Sequence, residues 1–392
     1  MKILFISLFL PQEKAYHAGG RYVFEILRQL SERHEIHLVT RLGEKELPLL
    51  ESLRPFCKTI HPYTYSTKEK RSLIDLVALG LNYIGFSRYA DRIACSAHFD
   101  IIQVEWVESA VMIKRRSTPM LLTAHDVITK PAKRRMRTGK GLRKLLNSLV
   151  FMVVRPLELR TMKRFDTIFT LSEYDKEYLL AMAPGLNVRA VPFPAGLDIT
   201  GQTYQRKKNT ILFLASYKYR KLNVDAALYF YREVFPLIRK VVPDAQFIIA
   251  GYGPPEELRS LSAKDPGVLV PGFVENMDEI YKLATVFVAP ILVGGGIIVK
   301  ILDAMAAGTP VVTTTYGNEG IGALPGRDLL VADGPESFAD AVVRVLTEKE
   351  LAARLSQNGQ EFVGRHFTLE AAIKNLESTY RELLNTRQIN SE

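Results

Sequence analysis

The feature that most constrains the fold is a regular alternation of short apolar segments with helix-length segments along the chain. Each apolar run has the roughly four to eight residues of a buried strand, and the intervening segments show helical periodicity. The strands predicted in the first half are Lys2–Phe9, Glu35–Thr40, Ile101–Val104, Met120–Thr123, Thr167–Thr170 and Val188–Val191. Those predicted in the second half are Thr210–Ala215, Ala245–Ala250, Val268–Val270, Thr285–Ala289 and Pro310–Thr313. This alternation predicts an α/β protein with doubly wound parallel sheets.

A segment rich in proline, glycine and polar residues separates the two alternating halves. The chain has 392 residues, 47% of them hydrophobic, which is enough for two cores. We therefore predict an N-terminal domain at 1–193, a linker at 194–209 and a C-terminal domain at 210–367. The last residues, 368–392, are predicted to form a terminal helix that begins near Leu369.

The most informative local stretch runs from Pro290 to Val312. A buried strand is followed by Gly294–Gly296, a helix-forming segment to Ala307 and Gly308 as a stop signal. Glycines let a backbone approach a ligand closely, and a helix N-terminus offers free N–H groups to an anion. The stretch predicts a phosphate-binding loop, with an ordinary tight turn as the alternative.

Polar residues follow several other predicted strands of the first half, where ligands of parallel sheets bind. Gly19-Gly20 precedes a helix and is either a second anion loop or a close strand-helix contact. Glu105 and Trp106, the latter the only tryptophan, are expected to project into a ligand cleft, and His125 is a candidate contact for a substrate hydroxyl or a general base. A purely structural histidine is the alternative.

In the second half, a basic cluster follows the strand that ends at Ala215. Lys218, Arg220 and Lys221 are placed to neutralise a departing diphosphate, unless they are a solvated charge run. Asp303 lies one helical turn after Lys300, so that both share a face. Asp303 is then either a ribose ligand or the partner of Lys300 in a local ion pair.

A basic run gives the chain, whose formal net charge is +10, an uneven charge distribution. No acid occurs between Asp126 and Glu158, and a basic helical insertion is predicted at 130–163. The run suits anionic lipid, with an ordinary solvated face as the alternative. Its members are Lys130, Lys133, Arg134, Arg135, Arg137, Lys140, Arg143 and Lys144. An apolar segment, 145–154, follows and suits an interfacial helix.

Few aromatic residues interleave the basic run, so nucleic acid is not an expected partner. Two distant cysteines, Cys57 and Cys95, indicate neither a disulfide framework nor a zinc site. No apolar run reaches the roughly 20 residues needed to span a bilayer. We expect a cytoplasmic protein that is peripheral to the inner face of the membrane.

In their order and spacing, the motifs resemble those of the GT-B-fold glycosyltransferases of family 4. The resemblance covers nearly the whole chain and is strongest from Thr210 to Gly320. It is carried by the motifs Pro194-Ala-Gly-Leu-Asp198, Gly251-Tyr-Gly-Pro254, Gly272-Phe-Val274, the stretch from Pro290 to Val312, and Gly317-Asn-Glu-Gly320. It implies two Rossmann-like domains facing a cleft and a terminal helix that returns to the first domain.

The resemblance also implies roles for individual residues. The Gly272–Val274 segment is expected near the base, Asp303 near the ribose, and His125 near the transferred sugar. Catalytic contributions are expected from His125, Lys221 and Lys300. Donor contacts are expected from Gly19, Gly20, Ser216, Arg220, Gly251, Phe273, Val274, Gly295, Gly296, Ile297 and Asp303. Contacts with the acceptor or the membrane are expected from Glu105, Trp106, Lys133, Arg134, Arg135 and Arg137.

The chain departs from the usual family pattern at several positions. The first of two acids is replaced by Gly295, and the second is Asp303 instead of Glu. This fits a branch with Gly-Gly-Gly before a lysine, although that branch commonly has Arg where Ile298 stands. Ala215-Ser216 replaces a Gly-Arg pair, and Lys221 aligns with the phosphate-binding lysine.

The resemblance implies a retaining hexosyltransferase that moves a sugar from a nucleoside-diphosphate donor to a glycan or lipid-linked acceptor. Such an enzyme serves cell-surface polysaccharide or glycolipid synthesis. It needs no cofactor or metal, because basic side chains stabilise the departing diphosphate. The alternatives are a nucleotide-sugar epimerase of the same fold and a non-catalytic protein that binds a nucleotide sugar or a polyanion.

Overall fold

The computed structural model describes residues 1–13, 18–65, 73–138, 141–191, 193–194, 206–218, 220–293 and 297–389. Most of the predicted linker, as well as Gly295 and Gly296, lies outside these ranges. The chain divides into two compact units. Unit 1 comprises Met1–Pro192 with Leu369–Glu392, and unit 2 comprises Phe193–Thr368.

Unit 1 is built on a parallel sheet whose described strands have the order β3-β2-β1-β4-β5-β6-β7. The strands are β1 Lys2–Ser7, β2 Glu35–Gly43, β3 Thr59–Tyr65, β4 Ile101–Glu105, β5 Met120–Ala124, β6 Thr167–Thr170 and β7 Val188–Ala190. The order of the strands reverses at β1, which pairs with both β2 and β4. Ligands of open parallel sheets bind at such a switch point, beyond the carboxyl ends of the strands.

Helices connect these strands. They are α1 Ala18–Ser31, α2 Leu73–Ser96, α3 Val107–Ala110, α4 Thr129–Thr138, α5 Gly141–Met162 and α6 Glu173–Met182, with a 3-10 helix at Glu44–Leu53. The basic segment predicted as an insertion forms α4 and α5, the connection from β5 to β6. Because Leu121 of β5 pairs directly with Thr167 of β6, the sheet continues without interruption.

Unit 2 has a second parallel sheet, with described strands in the order β10-β9-β8-β11-β12-β13. These strands are β8 Thr210–Leu214, β9 Gln246–Ala250, β10 Val268–Gly272, β11 Val286–Ala289, β12 Val311–Thr313 and β13 Leu330–Val331. The helices are α7 Lys221–Tyr229, α8 Phe235–Val241, α9 Glu256–Arg259, α10 Leu261–Lys264, α11 Met277–Leu283, α12 Val299–Ala306, α13 Thr315–Asn318, α14 Pro335–Thr347 and α15 Lys349–His366. A π-helical segment, Phe230–Val234, joins α7 to α8.

The central strands of unit 2 are apolar on both faces. Along β8, Ile211 and Phe213 enter one core cluster, whereas Leu212 and Leu214 enter the other. Successive strand residues point to opposite faces, and helices cover both faces of such a sheet. This explains why the strand reads as an unbroken apolar run in the sequence.

The terminal helix, α16 Leu369–Ile389, belongs to unit 1. Glu377 on this helix accepts hydrogen bonds from Arg33 and His34 at the end of α1, both at 3.0 Å. Further along, Arg189 binds both carboxylate oxygens of Glu382. The predicted return of the terminal helix to the first domain is confirmed.

The predicted fold of two Rossmann-like parallel sheets is also confirmed, with local differences. Strand β3 was not predicted, because Pro62 and the neighbouring polar residues interrupt its apolar pattern. Proline is tolerated there because β3 is an edge strand. Strand β13 has two residues, too few for periodicity to detect. Helix α7 begins at Lys221, the last member of the basic cluster.

Candidate functional site

In unit 1, the ends of β4 and β5 bring Glu105 and His125 together. The Nε2 atom of His125 lies 2.6 Å from Oε2 of Glu105, and both side chains are buried. Because an ionised carboxylate only accepts hydrogen bonds, Nε2 carries the proton. The other ring nitrogen, Nδ1, has no hydrogen-bond partner among the described residues and faces Gly19. The imidazole of His125 therefore has a fixed orientation, with Nδ1 as its unprotonated nitrogen.

A second layer of hydrogen bonds fixes Glu105. Its Oε1 accepts from Gln103 Nε2 at 2.8 Å and from Thr123 Oγ1 at 3.0 Å. Gln103 in turn accepts from the hydroxyl of Tyr380 on α16 at 3.3 Å. This buried polar chain connects the terminal helix to His125, an arrangement that lowers the freedom of the imidazole.

Trp106 packs directly on His125. The two rings are stacked, with centroids 3.9 Å apart and planes 11° apart. The backbone of Trp106 has φ of 68°, which is unfavourable for an aromatic residue and persists only when the surroundings enforce it. A Cβ atom at Gly19 would lie 2.6 Å from the Trp106 ring, so only glycine fits there. The contact supports the close-packing role of the Gly19-Gly20 pair.

Glu105 and Trp106 occupy positions different from those expected of acceptor contacts. Glu105 is only 1% exposed and its carboxylate is directed at His125, so it is a positioning residue. Glu108, on α3 just after Trp106, was not predicted. Its pKa is raised, chiefly by burial and further by Asp126. No strand-end pattern marks this residue in the sequence.

In unit 2, Lys300 near the start of α12 is the central cation. Its Nζ donates to Oδ1 of Asn223 at 3.3 Å and lies 4.8 Å from the centroid of the Phe213 ring. Burial, with a contribution from the like charge of Arg220, lowers the pKa of Lys300 to about 7. The alternative ion pair with Asp303 does not form in the structure. A cation in this setting gains most from an anionic ligand.

Asn223 was missed by sequence reasoning, although it joins two predicted site segments. Its amide nitrogen donates to the Ser216 carbonyl at 2.7 Å, while its oxygen binds Lys300. Arg220, the residue before α7, lies close enough to Lys300 to lower the pKa of its ammonium group. Lys221 instead points to solvent with its side chain 85% exposed, and it pairs with Asp225 at 2.8 Å. Asparagine one turn into a helix carries no signal that would have identified it.

The loops after β8 and β9 contact each other at the carboxyl edge of the unit 2 sheet. Gly251 has φ of 131°, and a Cβ atom there would lie 1.8 Å from the Ala215 carbonyl oxygen. Its N–H donates to the Gly272 carbonyl at 2.7 Å. The side chain of Lys218 lies against Gly253 in the same way. These glycines therefore set how closely the strand-end loops approach.

The remaining predicted donor contacts lie around this edge. Phe273 is 67% exposed and meets Tyr252 edge-to-face at 6.3 Å, which leaves an aromatic surface for a planar group. Val274 and Ile297 are partly buried against the core. Asp303 is 3% exposed, so only a closely fitting group reaches it.

The basic helices of unit 1 differ in accessibility from residue to residue. Lys130 is buried and bonded to Asp175 at 2.7 Å, so it is a structural part of the run and not a membrane contact. Lys133 and Arg134 are partly exposed, whereas Arg135 and Arg137 are exposed. None of the helices in the described ranges is long and apolar enough to cross a membrane. Lys140 and the side chain of Arg143 are outside the described set.

The lowered pKa of Lys300 makes stability and anion binding depend on pH. An unfolded chain keeps the ordinary lysine pKa of about 10.4, so between pH 7 and about 10 it binds more protons than the folded chain. Stability contributed by this group therefore rises with pH in that window. Lys300→Met should raise Tm most at pH 7 and below, and progressively less toward pH 10. A Tm gain that does not depend on pH would contradict this assignment.

Pyrophosphate serves as a probe of the same lysine. Binding by the wild type should weaken above pH 7, by up to about tenfold per pH unit, because the ammonium must be protonated. Lys300→Arg, which stays charged, should flatten this profile, and Lys300→Met should bind weakly at every pH. Titration calorimetry in two buffers measures both the affinity and the proton uptake.

Two family models match the chain, each largely on one unit. Residues 19–199 match the model described as Glycosyltransferase Family 4, and residues 208–348 match the one described as Glycosyl transferases group 1. Among curated proteins, a phosphatidyl-myo-inositol mannosyltransferase from Mycobacterium leprae is 29% identical over 193 residues, covering 45% of this chain and 50% of that protein. The chain spans at most half the length of the curated relatives it matches.

Solved structures share the fold over the full length. A sucrose-phosphate synthase from Thermosynechococcus elongatus has a TM-score of 0.71 at 17% identity, covering 98% of this chain and 100% of that one. HepE from Anabaena, in complex with UDP, has a TM-score of 0.66 at 13% identity, with 97% and 100% coverage. The chain is therefore similar to glycosyltransferase family models in both units, and it shares the GT-B fold of these solved structures.

Proposed function

We propose that the protein transfers a hexose from a nucleoside-diphosphate donor to a glycan or lipid-linked acceptor, with retention of configuration. The observation that carries this proposal is the cation site of unit 2. Among the described residues no carboxylate pairs with Lys300, which lies beside Arg220 at the carboxyl edge of a parallel sheet. Glycosyltransferase activity is supported by the two family matches and by the mannosyltransferase relatives.

The chemistry of transfer explains the need for these cations. When the bond between the anomeric carbon and the diphosphate oxygen breaks, the diphosphate gains negative charge. The acceptor hydroxyl oxygen forms the new bond to the anomeric carbon, and its proton passes to the departing diphosphate oxygen. Lys300 and Arg220 stabilise that charge more in the transition state than in the ground state. The approach of the diphosphate raises the pKa of Lys300, so the ammonium is charged when it is required. A bound metal is not needed for this step.

The other donor contacts follow from the geometry of unit 2. The exposed Phe273 face suits a nucleobase, and the buried Asp303 carboxylate suits a ribose diol. His125 in unit 1 offers Nδ1 to a sugar hydroxyl. The complex of HepE with UDP makes uridine nucleotides the first ones to test.

The donor is tested by the thermal stabilisation of the protein with a panel of nucleoside diphosphates and their sugars, with and without EDTA. Mass action gives about 2.7 kcal/mol of stabilisation at a hundred times Kd. We expect a selective response to one nucleotide that EDTA leaves unchanged and that Lys300→Met abolishes. Nucleotide release on addition of acceptor, with retained anomeric configuration by NMR, then establishes transfer. Sugar interconversion without acceptor would indicate an epimerase, and binding without turnover would indicate a binding protein.

We further propose that the protein works at an anionic membrane surface, through the helices α4 and α5. Seven apolar side chains of α5, between 47% and 65% exposed, have the spacing of one helix face. They are Leu145, Leu146, Leu149, Val150, Met152, Val153 and Leu157. Glu158 is buried and accepts from the backbone N–H groups of Ile128 and Thr129, so the acid next to this face is not exposed to the lipid.

Vesicle binding separates the charged contribution from the apolar one. Replacing Arg135 and Arg137 by Gln should cost about 1 kcal/mol per charge on phosphatidylglycerol vesicles, and high salt should erase the difference. Replacing Leu149 and Val153 by Ser should weaken binding at every salt concentration. Unchanged sedimentation of both double variants with the vesicles would refute the membrane assignment.

A further inference from the structure

Arg41, in the last part of β2, is a buried cation that the proposed transfer reaction does not use. Its side chain is 3% exposed, and its Nε donates to Oδ1 of Asn82 on α2. The guanidinium lies 3.6 Å from the centroid of the Tyr65 ring and 5.0 Å from that of Tyr83. Among the described residues no carboxylate pairs with Arg41, and its two Nη atoms have no hydrogen-bond acceptor.

Two other enclosed arginines of unit 1 use their Nη groups within the fold, and only their Nε atoms lack a hydrogen-bond partner. Arg116 is bonded to the carboxylate of Asp91. Arg164 donates to the carbonyl oxygens of Ile113 and Val111 at 2.7 and 3.0 Å. A poorly solvated charge without such partners is unfavourable, and proteins keep it mainly where a ligand completes the site. Of these three arginines, Arg41 is the one that donates neither Nη group to a described residue.

The cage around Arg41 leaves the Nη donors available in one plane. Stacking on Tyr65 fixes the plane of the guanidinium, and the Asn82 bond fixes its rotation. A guanidinium held in this way offers two parallel N–H groups, the geometry that matches phosphate and carboxylate oxygens. The tyrosine rings maintain the charge through cation–π attraction.

The Arg41 cage lies at the same sheet edge as His125. Strands β2, β4 and β5 are parallel members of one sheet, so their carboxyl ends meet at that edge. A series of electrostatic interactions runs from Arg41 through Tyr83 and Glu108 to His125. Burial raises the pKa of Tyr83, Arg41 lowers it, and the carboxyl of Glu108 raises it. The pKa of Glu108 is in turn raised by Asp126 and lowered by His125.

We propose that Arg41, Asn82 and Tyr65 form an oxyanion subsite in unit 1, which binds a phosphate or carboxylate group of the sugar acceptor. The identity of the bound molecule as an acceptor rests on the proposed function, whereas the subsite itself depends only on unit 1. The acceptor is then an anionic molecule held at its charged group, with a hydroxyl left to react.

Asn82→Asp is the decisive variant. It places a carboxylate where the Asn82 amide oxygen accepts from Arg41, so the guanidinium gains an internal partner and Tm should stay equal or rise. Asn375→Asp on α16 makes the same charge change at an exposed position of unit 1 and serves as the control. Both are made in the Lys300→Met background, which removes the cation proposed to bind phosphate in unit 2.

Inorganic phosphate and glycerol 3-phosphate are the soluble probes, measured by thermal shift. We expect the Asn82→Asp protein to lose about tenfold to a hundredfold in affinity and the Asn375→Asp protein to bind like its parent. If Asn82→Asp folds and binds phosphate as its parent does, Arg41 is structural and the proposal is overturned. Arg41→Gln supplies a second test with the same expectation.

Further measurements identify the source of the oxyanion. They also separate the failure of this proposal from the failure of the proposed function. A response to glycerol 3-phosphate in solution supports a soluble phosphoester. A response only to vesicles containing phosphatidic acid, lost in Asn82→Asp, supports a lipid headgroup. Nucleotide binding by the single Asn82→Asp variant should match the wild type, since the donor cations lie in unit 2. If no nucleotide stabilises the wild type while the Asn82→Asp effect holds, the transferase proposal fails and the subsite stands.

Discussion

The parallel pairing of strands is the constraint on which every functional feature of this protein depends. It places the carboxyl ends of the strands at one edge of each sheet, so residues far apart in sequence converge there. Glu105 and His125 meet because β4 and β5 are neighbours. Gly251 and Ala215 touch because β8 and β9 are neighbours in the other sheet. The sheets therefore act as two rigid frames that orient loops.

The enclosed cations of this chain fall into two kinds, those paired with a carboxylate and those bonded to neutral groups. Lys130 is paired with Asp175 and Arg116 with Asp91, so each charge has its counterion within the fold. Among the described residues, Lys300 and Arg41 hydrogen-bond only to asparagine amides. A poorly solvated cation without a counterion lowers stability until an anion binds. Each unit thus contains a cation of this kind.

The helices α4 and α5 form a distinct surface on unit 1. The backbone N–H groups of Ile128 and Thr129, at the start of α4, donate to the Glu158 carboxylate of α5 and join the two helices. The Lys130–Asp175 ion pair anchors α4 to α6. The outward-facing side chains are mainly basic on α4 and apolar on α5. The β5–β6 connection therefore supplies a surface suited to an anionic lipid interface without disturbing the sheet.

The sequence by itself determined the fold class, because the spacing of apolar residues and the positions of glycine and proline are local properties of a chain. Alternating runs predicted parallel sheets, and His125 was identified because it follows a strand, whereas the roles of Gly251 and Lys300 were implied by the family resemblance. Contacts between distant segments were not predictable in this way. Asn223 beneath Lys300, Glu105 turned toward His125 instead of an acceptor, and Asn82 beside Arg41 each depend on which helix packs over which strand. Tertiary structure alone decided these partners, since hydrogen bonds and burial are set by positions in space and not by spacing along the chain.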